Sequence, residues 1–164
     1  MTMRQLIIVL FVFFTFQVAN AQLSTSIGNL KIGHTELVDG IKLLKSIDEE
    51  SIYFESNGQI LVNAHNFPFA GIKWSDIIAS FKNSTLIRVQ LNVDGFAPSE
   101  SLNLFEKLNT AFLSKYNDYL VYSSASVYMY KDSYVEVLLS YDVKNNSITV
   151  TYTYKHKPQI GEGI

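Results

Sequence analysis

The chain contains no cysteine, and its 164 residues include only 3 prolines, 1 tryptophan and 3 histidines. Without cysteine there is no disulfide framework, thiolate nucleophile, zinc–thiolate centre or redox dithiol. The fold must rest on its hydrophobic core, and a chain of this length buries roughly two thirds of its unfolded surface, enough for one stable domain. No Pro/Gly/Ser-rich stretch divides the chain, so a single domain is expected. His34, His65 and His156 lie far apart in sequence and form no H-E-x-x-H spacing. A G-x-S-x-G elbow, a glycine-rich phosphate loop and a D-x-[DN]-x-[DN]-G calcium run are also missing. Neither sign of charge dominates: 13 basic and 15 acidic side chains leave a net charge of −2, with no long block of either. This balance gives no electrostatic basis for binding nucleic acid or anionic lipid.

The N-terminus carries the clearest signal. Arg4 supplies positive charge, Leu6 to Phe16 form an apolar run, and Ala19-Asn20-Ala21 provides the small residues of a signal-peptidase site before Gln22. The run is shorter than the about 20 residues that span a bilayer, and a lipoprotein anchor would need a cysteine. Residues 1–21 therefore read as a cleaved signal peptide, and the protein as exported, periplasmic or secreted. Residues 22–154 form one α+β domain with no membrane span. Residues 155–164, with Pro158, Gly161 and Gly163, read as a flexible tail.

Periodicity places the elements. Residues 27–32 suit a short strand. Leu37, Val38, Ile41 and Leu44 recur at helical spacing behind Thr35 as N-cap, with Gly40 costing about 1 kcal/mol relative to alanine. Residues 51–55 and 59–63 flank Ser56-Asn57-Gly58, a hairpin signal. The stretch 72–81 fits two periods: Trp74, Ile77, Ile78 and Phe81 suit a helix, whereas Ile77, Ala79 and Phe81 alternate as a strand. The Lys82-Asn83-Ser84 turn and the alternating run Leu86 to Val93 decide for a β-hairpin over 72–93. Pro98 opens the strongest helix, with Leu102, Phe105, Leu108, Phe112 and Tyr116 as its apolar stripe. Strands follow at 119–123, 126–131, 134–142 and 147–154. In the last, Ile148, Val150, Tyr152 and Tyr154 alternate with Thr149, Thr151 and Thr153. The order predicts a two-layer α+β sandwich: a mainly antiparallel sheet with two helices on one face. It is compatible with a tandem helix-then-sheet pseudo-repeat.

Two resemblances attach to particular residues. Phe69-Ala70-Gly71-Ile72-Lys73-Trp74, Phe81, Leu86 to Val93, and Leu108 to Lys115-Tyr116 together resemble a type of small exported bacterial α+β protein of unassigned function, over roughly residues 67–154. Ile32-Gly33-His34-Thr35 with Leu43-Leu44 is similar to the start of the helix-then-sheet unit in β-lactamase-inhibitor-like and outer-membrane-assembly small lipoproteins. Asp39, Lys45 and the missing lipid-bearing cysteine depart from that pattern. The second resemblance implies a protein-binding module and carries over no catalytic residue.

The chemistry-bearing residues point the same way. Asp48-Glu49-Glu50, the densest acidic cluster, sits between a helix and a strand. Glu136 and Asp142 share a strand side but lie about 20 Å apart along it, too far for one catalytic pair. Trp74 either stacks on a sugar or partner, or caps the core beside Phe67 and Phe69. Tyr128 and Tyr130 alternate with Val127 and Met129. That strand is either central and covered, or it presents an aromatic patch. The sequence reads as a non-enzymatic exported module, without cofactor or metal, that binds an unknown protein or envelope component. The expected contact surface is the outer sheet face, with Tyr128, Tyr130, Thr149, Thr151, Thr153 and Trp74. The alternative is a small ligand or cell-wall glycan in an aromatic-lined pocket between sheet and helices. A hydrolase using His65 with a nearby carboxylate is the third reading. The oligomeric state is not encoded in any motif. The signal peptide makes a direct prediction: intact-mass measurement of the protein recovered from its host should give a chain beginning at Gln22.

Overall fold

In the computed structural model the described residues are 23–155, apart from Ser56 and Pro68. The expected signal peptide and its cleavage site, His156 and the tail from 156 onward lie outside them. The elements run β1 (Ser26–Ile27), β2 (Leu30–Lys31), α1 (Leu37–Lys45), β3 (Tyr53–Phe54), β4 (Gln59–Asn63), β5 (Asp76–Lys82), β6 (Thr85–Val93), α2 (Pro98–Tyr116), a 3-10 turn (Asn117–Tyr119), β7 (Leu120–Ser123), β8 (Val127–Lys131), β9 (Val135–Asp142) and β10 (Ser147–Tyr154). β1 and β2 form a separate two-stranded ribbon, so the strand expected over 27–32 is instead this hairpin, turning at Gly28 with positive φ.

The other strands form one antiparallel sheet in the order β3-β4-β5-β6-β10-β9-β8-β7. Two four-stranded meanders, β3 to β6 and β7 to β10, meet through their last strands. Each meander follows a helix, so the chain runs helix-then-four-strands twice. α2 leaves the sheet centre at β6 and returns the chain to the far edge at β7. It packs Phe112 on Tyr130 and Tyr152 at 5.7 and 6.5 Å between ring centroids, and Phe105 on Tyr128 and Tyr141 at 6.0 and 5.6 Å. α1 covers the same face beside Phe81. A Cβ on Gly40 would lie 2.5 Å from the Phe81 ring, so this glycine, a weak helix former, is where the helix meets the sheet. The core is a single cluster between the helices and the sheet, reinforced by Ser101 Oγ donating to the Asn146 carbonyl at 3.0 Å.

Three local expectations change. Thr35 does not cap α1. Its hydroxyl accepts the Lys31 N–H at 2.9 Å and closes the β2–α1 turn, while the N-cap is Glu36 with no side-chain cap bond. The segment 72–75 is loop, and the hairpin begins at Asp76. Lys155, expected to open the frayed tail, is held: its N–H donates to the Tyr134 carbonyl at 2.6 Å and its ammonium pairs with Glu136. Both sheet edges are blunted, β3 by its two-residue length and β7 by a register shift between Leu120 and Tyr122.

Asp132 joins the start of the described chain to the second meander. Its carboxylate accepts the Tyr134 and Val135 N–H groups at 2.7 Å each, forming the β8–β9 turn, and the Leu23 N–H at 3.1 Å. Leu23 is buried. Asp132→Ala leaves three backbone donors without this acceptor and should cost about 2–3 kcal/mol. The measurement is the guanidinium midpoint, and a shift under a quarter of that would show the tether to be dispensable.

Candidate functional site

Both helices occupy one face, so side chains on the other face of the sheet are covered by no described element. Strand register sorts that open face into three rows running across the strands. The first runs Asn63, Asp76, Asn92, Thr149, Ser140, Val127. The third runs Gln59, Ser80, Arg88, Thr153, Glu136, Lys131. The row between them crosses all eight strands. It begins with Tyr53, Leu61 and Ile78, passes through Gln90 and Thr151, and ends with Leu138, Met129 and Tyr122. The middle row is thus apolar or aromatic at six positions and polar only on the two central strands. At strand spacings of 4.7–4.9 Å it extends for about 34 Å.

The cause lies in the outward-facing triplets. β4 presents Gln59-Leu61-Asn63, β5 Asp76-Ile78-Ser80 and β9 Glu136-Leu138-Ser140. Each has an apolar residue between polar ones. Tyr53 and Tyr122 at the two ends are 61% and 54% exposed, and the apolar residues between them are half-buried. The polar residues hold one another in place. Arg88 Nη2 donates to Gln90 Oε1 at 2.9 Å, and Gln90 Nε2 to Asn92 Oδ1 at 3.0 Å. Asn92 Nδ2 donates to Asp76 Oδ1 at 2.6 Å, and Thr149 Oγ1 to Asn92 Oδ1 at 3.0 Å. Partial burial raises the Asp76 carboxyl above its ordinary value. The Asn92 hydrogen bond opposes this, and the Asp94 charge adds to it.

The expected contact residues do not share a face. Tyr128 and Tyr130 pair with Leu139 and Val137, which places them on the helix side. Tyr130 is buried under α2, its hydroxyl donating to Asn109 Oδ1 at 3.4 Å and pushed up to about 12 by burial and by Tyr128. Tyr128 is half-buried against Phe105. Trp74 sits in the loop before β5, has no exposed surface, and donates its indole N–H to the Phe69 carbonyl at 3.0 Å. It caps the core beside Phe69 and is removed from the surface set. Thr149 and Thr153 do lie on the open face, half-buried. Thr151 lies there too but is 5% exposed, enclosed by its neighbours. The six apolar side chains of the middle row were missed. The apolar centre of each outward triplet is visible in the sequence, but its alignment across strands is set only by register.

The other candidates do not converge. His34 and His65 are exposed and on different elements. Asp48 accepts the Glu50 N–H at 3.1 Å in a turn. Asp142 shapes the β9–β10 turn by accepting from Asn145 and Lys144, which hold its carboxyl below the ordinary range. No group of three or more metal-ligating side chains occurs among the described residues, and no described helix is long and apolar enough to cross a membrane. An aromatic-lined cavity of about 180 Å³ lies between α2 and the sheet, bounded by Phe69, Phe112, Tyr116 and Tyr152 with Lys115 and Ser24. It is smaller than the roughly 300–1,000 Å³ of typical ligand sites. Comparison with protein-family models, curated proteins and solved structures gives no match.

The raised Asp76 carboxyl gives a signed pH prediction. The folded state holds this proton to higher pH than the unfolded chain, so stability falls as pH rises from the unfolded to the folded pKa. The penalty remains at neutral pH. Asp76→Asn keeps an oxygen to accept from Asn92 and removes the charge. Its melting temperature should exceed that of the parent at pH 7 and match it at pH 3. A variant less stable at pH 7 would show that the charged form is needed.

Proposed function

We propose that this is an exported, non-enzymatic module that binds a protein or envelope component through the open face of its sheet. The observation that carries the reading is the middle row across all eight strands, apolar or aromatic at six of its eight positions and rimmed by hydrogen-bonded polar rows. An uncovered apolar strip within a polar border is the usual anatomy of a protein contact. Its length exceeds what a single small molecule fills. The contact set revises the surface expected from sequence: Leu61, Ile78, Leu138 and Met129 as the apolar centre, Tyr53 and Tyr122 as aromatic ends, Thr149 and Thr153 as rim. The signal-like N-terminus and the resemblance to small exported proteins support a location outside the cytoplasm, and the similarity to inhibitor-like units supports protein binding. Among the described residues no set of catalytic groups comes together, which favours binding over hydrolysis.

The second reading, a small ligand or glycan, is favoured by one feature, the aromatic cavity beside Phe69. The small size of that cavity places it second, and a titration of Trp74 fluorescence with cell-wall fragments tests it, since Trp74 packs on Phe69 at 6.0 Å between centroids. The principal test is a cross-linking pull-down from host envelope and culture-medium fractions. A protein partner captured by the parent should be lost, at least tenfold, with Met129→Glu combined with Tyr122→Ser, at unchanged circular dichroism. Capture that survives these substitutions would place the contact elsewhere.

A further inference from the structure

Resting on the reading of the open face as a contact surface, we infer that the occupant of that face is a second copy of the same chain, the two sheets stacking face to face about a two-fold axis along the apolar row. Three features of the face select a copy over an unrelated partner.

The first is the polar interruption at the centre. Any partner covering the row must meet the Gln90 amide. Within the chain this amide uses one lone pair for Arg88 and one N–H for Asn92, which leaves one N–H and one lone pair. A two-fold axis along the row brings Gln90 over Gln90 of the second copy. Each amide can then donate to the other, so neither is buried unsatisfied.

The second is charge. Among the described residues Asp76 and Arg88 have no ion-pair partner, the two ion pairs being Lys42 with Asp39 and Lys155 with Glu136. Asp76 stands in one polar row and Arg88 in the other. The axis along the apolar row exchanges these rows, so Asp76 lies over Ser80 of the second copy, one strand from its Arg88. Each Asp76 thus lies one strand from an Arg88 of the second copy, an opposite-charge approach that the symmetry makes twice.

The third is size and direction. The three rows cover about 700 Å², close to the about 800 Å² that each partner contributes to a standard interface. The same axis keeps the strands of the two sheets aligned, the usual way sheets stack face to face at about 10 Å. The blunted edges at β3 and β7 disfavour edge-to-edge growth, which leaves the face as the route to association.

The test is sedimentation equilibrium, between 1 and 200 μM, of the protein as recovered from its host, expected to begin at Gln22. The expected result is a mass of twice the protomer at the upper concentrations. Leu138→Glu should weaken association at least tenfold by placing charge in the apolar row. Gln90→Glu should also weaken it at least tenfold, because only a two-fold partner sets this position against itself. A parent that stays monomeric at 200 μM overturns the inference. So does a dimer that both variants leave unchanged. A monomer that still captures another protein through Met129 and Tyr122 would retain the contact-surface reading and remove only the second copy.

Discussion

The pairing of β6 with β10 is the contact on which the molecule depends. Among the described residues it is the only strand pairing within the main sheet that joins elements distant in sequence. Each of its strands is the last of a meander, so every other strand reaches the sheet through one of them. Leu91 stands opposite Val150 and Val89 opposite Tyr152, and all four are buried. Such a long-range pairing must recover the entropy of closing a chain that includes the whole of α2 and three strands. It does so by burying residues on the helix side and by linking polar side chains on the open side, where Thr149 bonds Asn92 across the junction.

This pairing also explains the asymmetry of the two sheet faces. On the helix side, β6 and β10 contribute Val and Leu, or Ile, Val and Tyr, because both helices converge above them. On the open side the same strands contribute Arg88-Gln90-Asn92 and Thr149-Thr151-Thr153, whereas the flanking strands carry apolar residues in the middle row. A fully apolar row eight strands wide would be an aggregation surface for any chain that exposed it during folding. Polar residues at the centre divide it into two shorter patches. On the proposed contact reading they would also set specificity, since a partner that left Gln90 unsatisfied would bear the cost of an unpaired buried amide.

Much of the architecture was legible in the sequence. The α2 boundaries, the β9 and β10 strands, the hairpin around Asn57-Gly58 and the layering of two helices on one antiparallel sheet all follow from periodicity and turn chemistry. What failed was the assignment of faces between strands. Alternation separates Tyr128 and Tyr130 from Val127 and Met129, but in β8 both sets are largely apolar, so hydrophobicity does not say which set faces the helix. Only the register through β9 couples Tyr128 to Leu139 and then to Val150, placing it opposite the threonines. Trp74 was ambiguous for a different reason. Its spacing to Ile77 and Ile78 mimicked an element, whereas its position is fixed by a loop hydrogen bond to Phe69.

The open face also bears on how the tandem arrangement works. In each half, a helix can cover only one side of the meander that follows it, and because both helices lie on the same side, no described element covers the other. A bare side with uniformly polar outward residues needs no partner, and the two central strands meet that condition. The flanking strands do not: Leu61, Ile78, Leu138 and Met129 occupy positions where serine or threonine would cost the fold little and would remove apolar surface from water. Half-burial of isoleucine and leucine gives only a fraction of the about 1.5–3 kcal/mol available from full burial. Retaining four of them in one register-aligned row therefore contributes little to the isolated chain and much to a complex, where each would be covered. On the proposed contact reading, this row is the surface that association would remove from water.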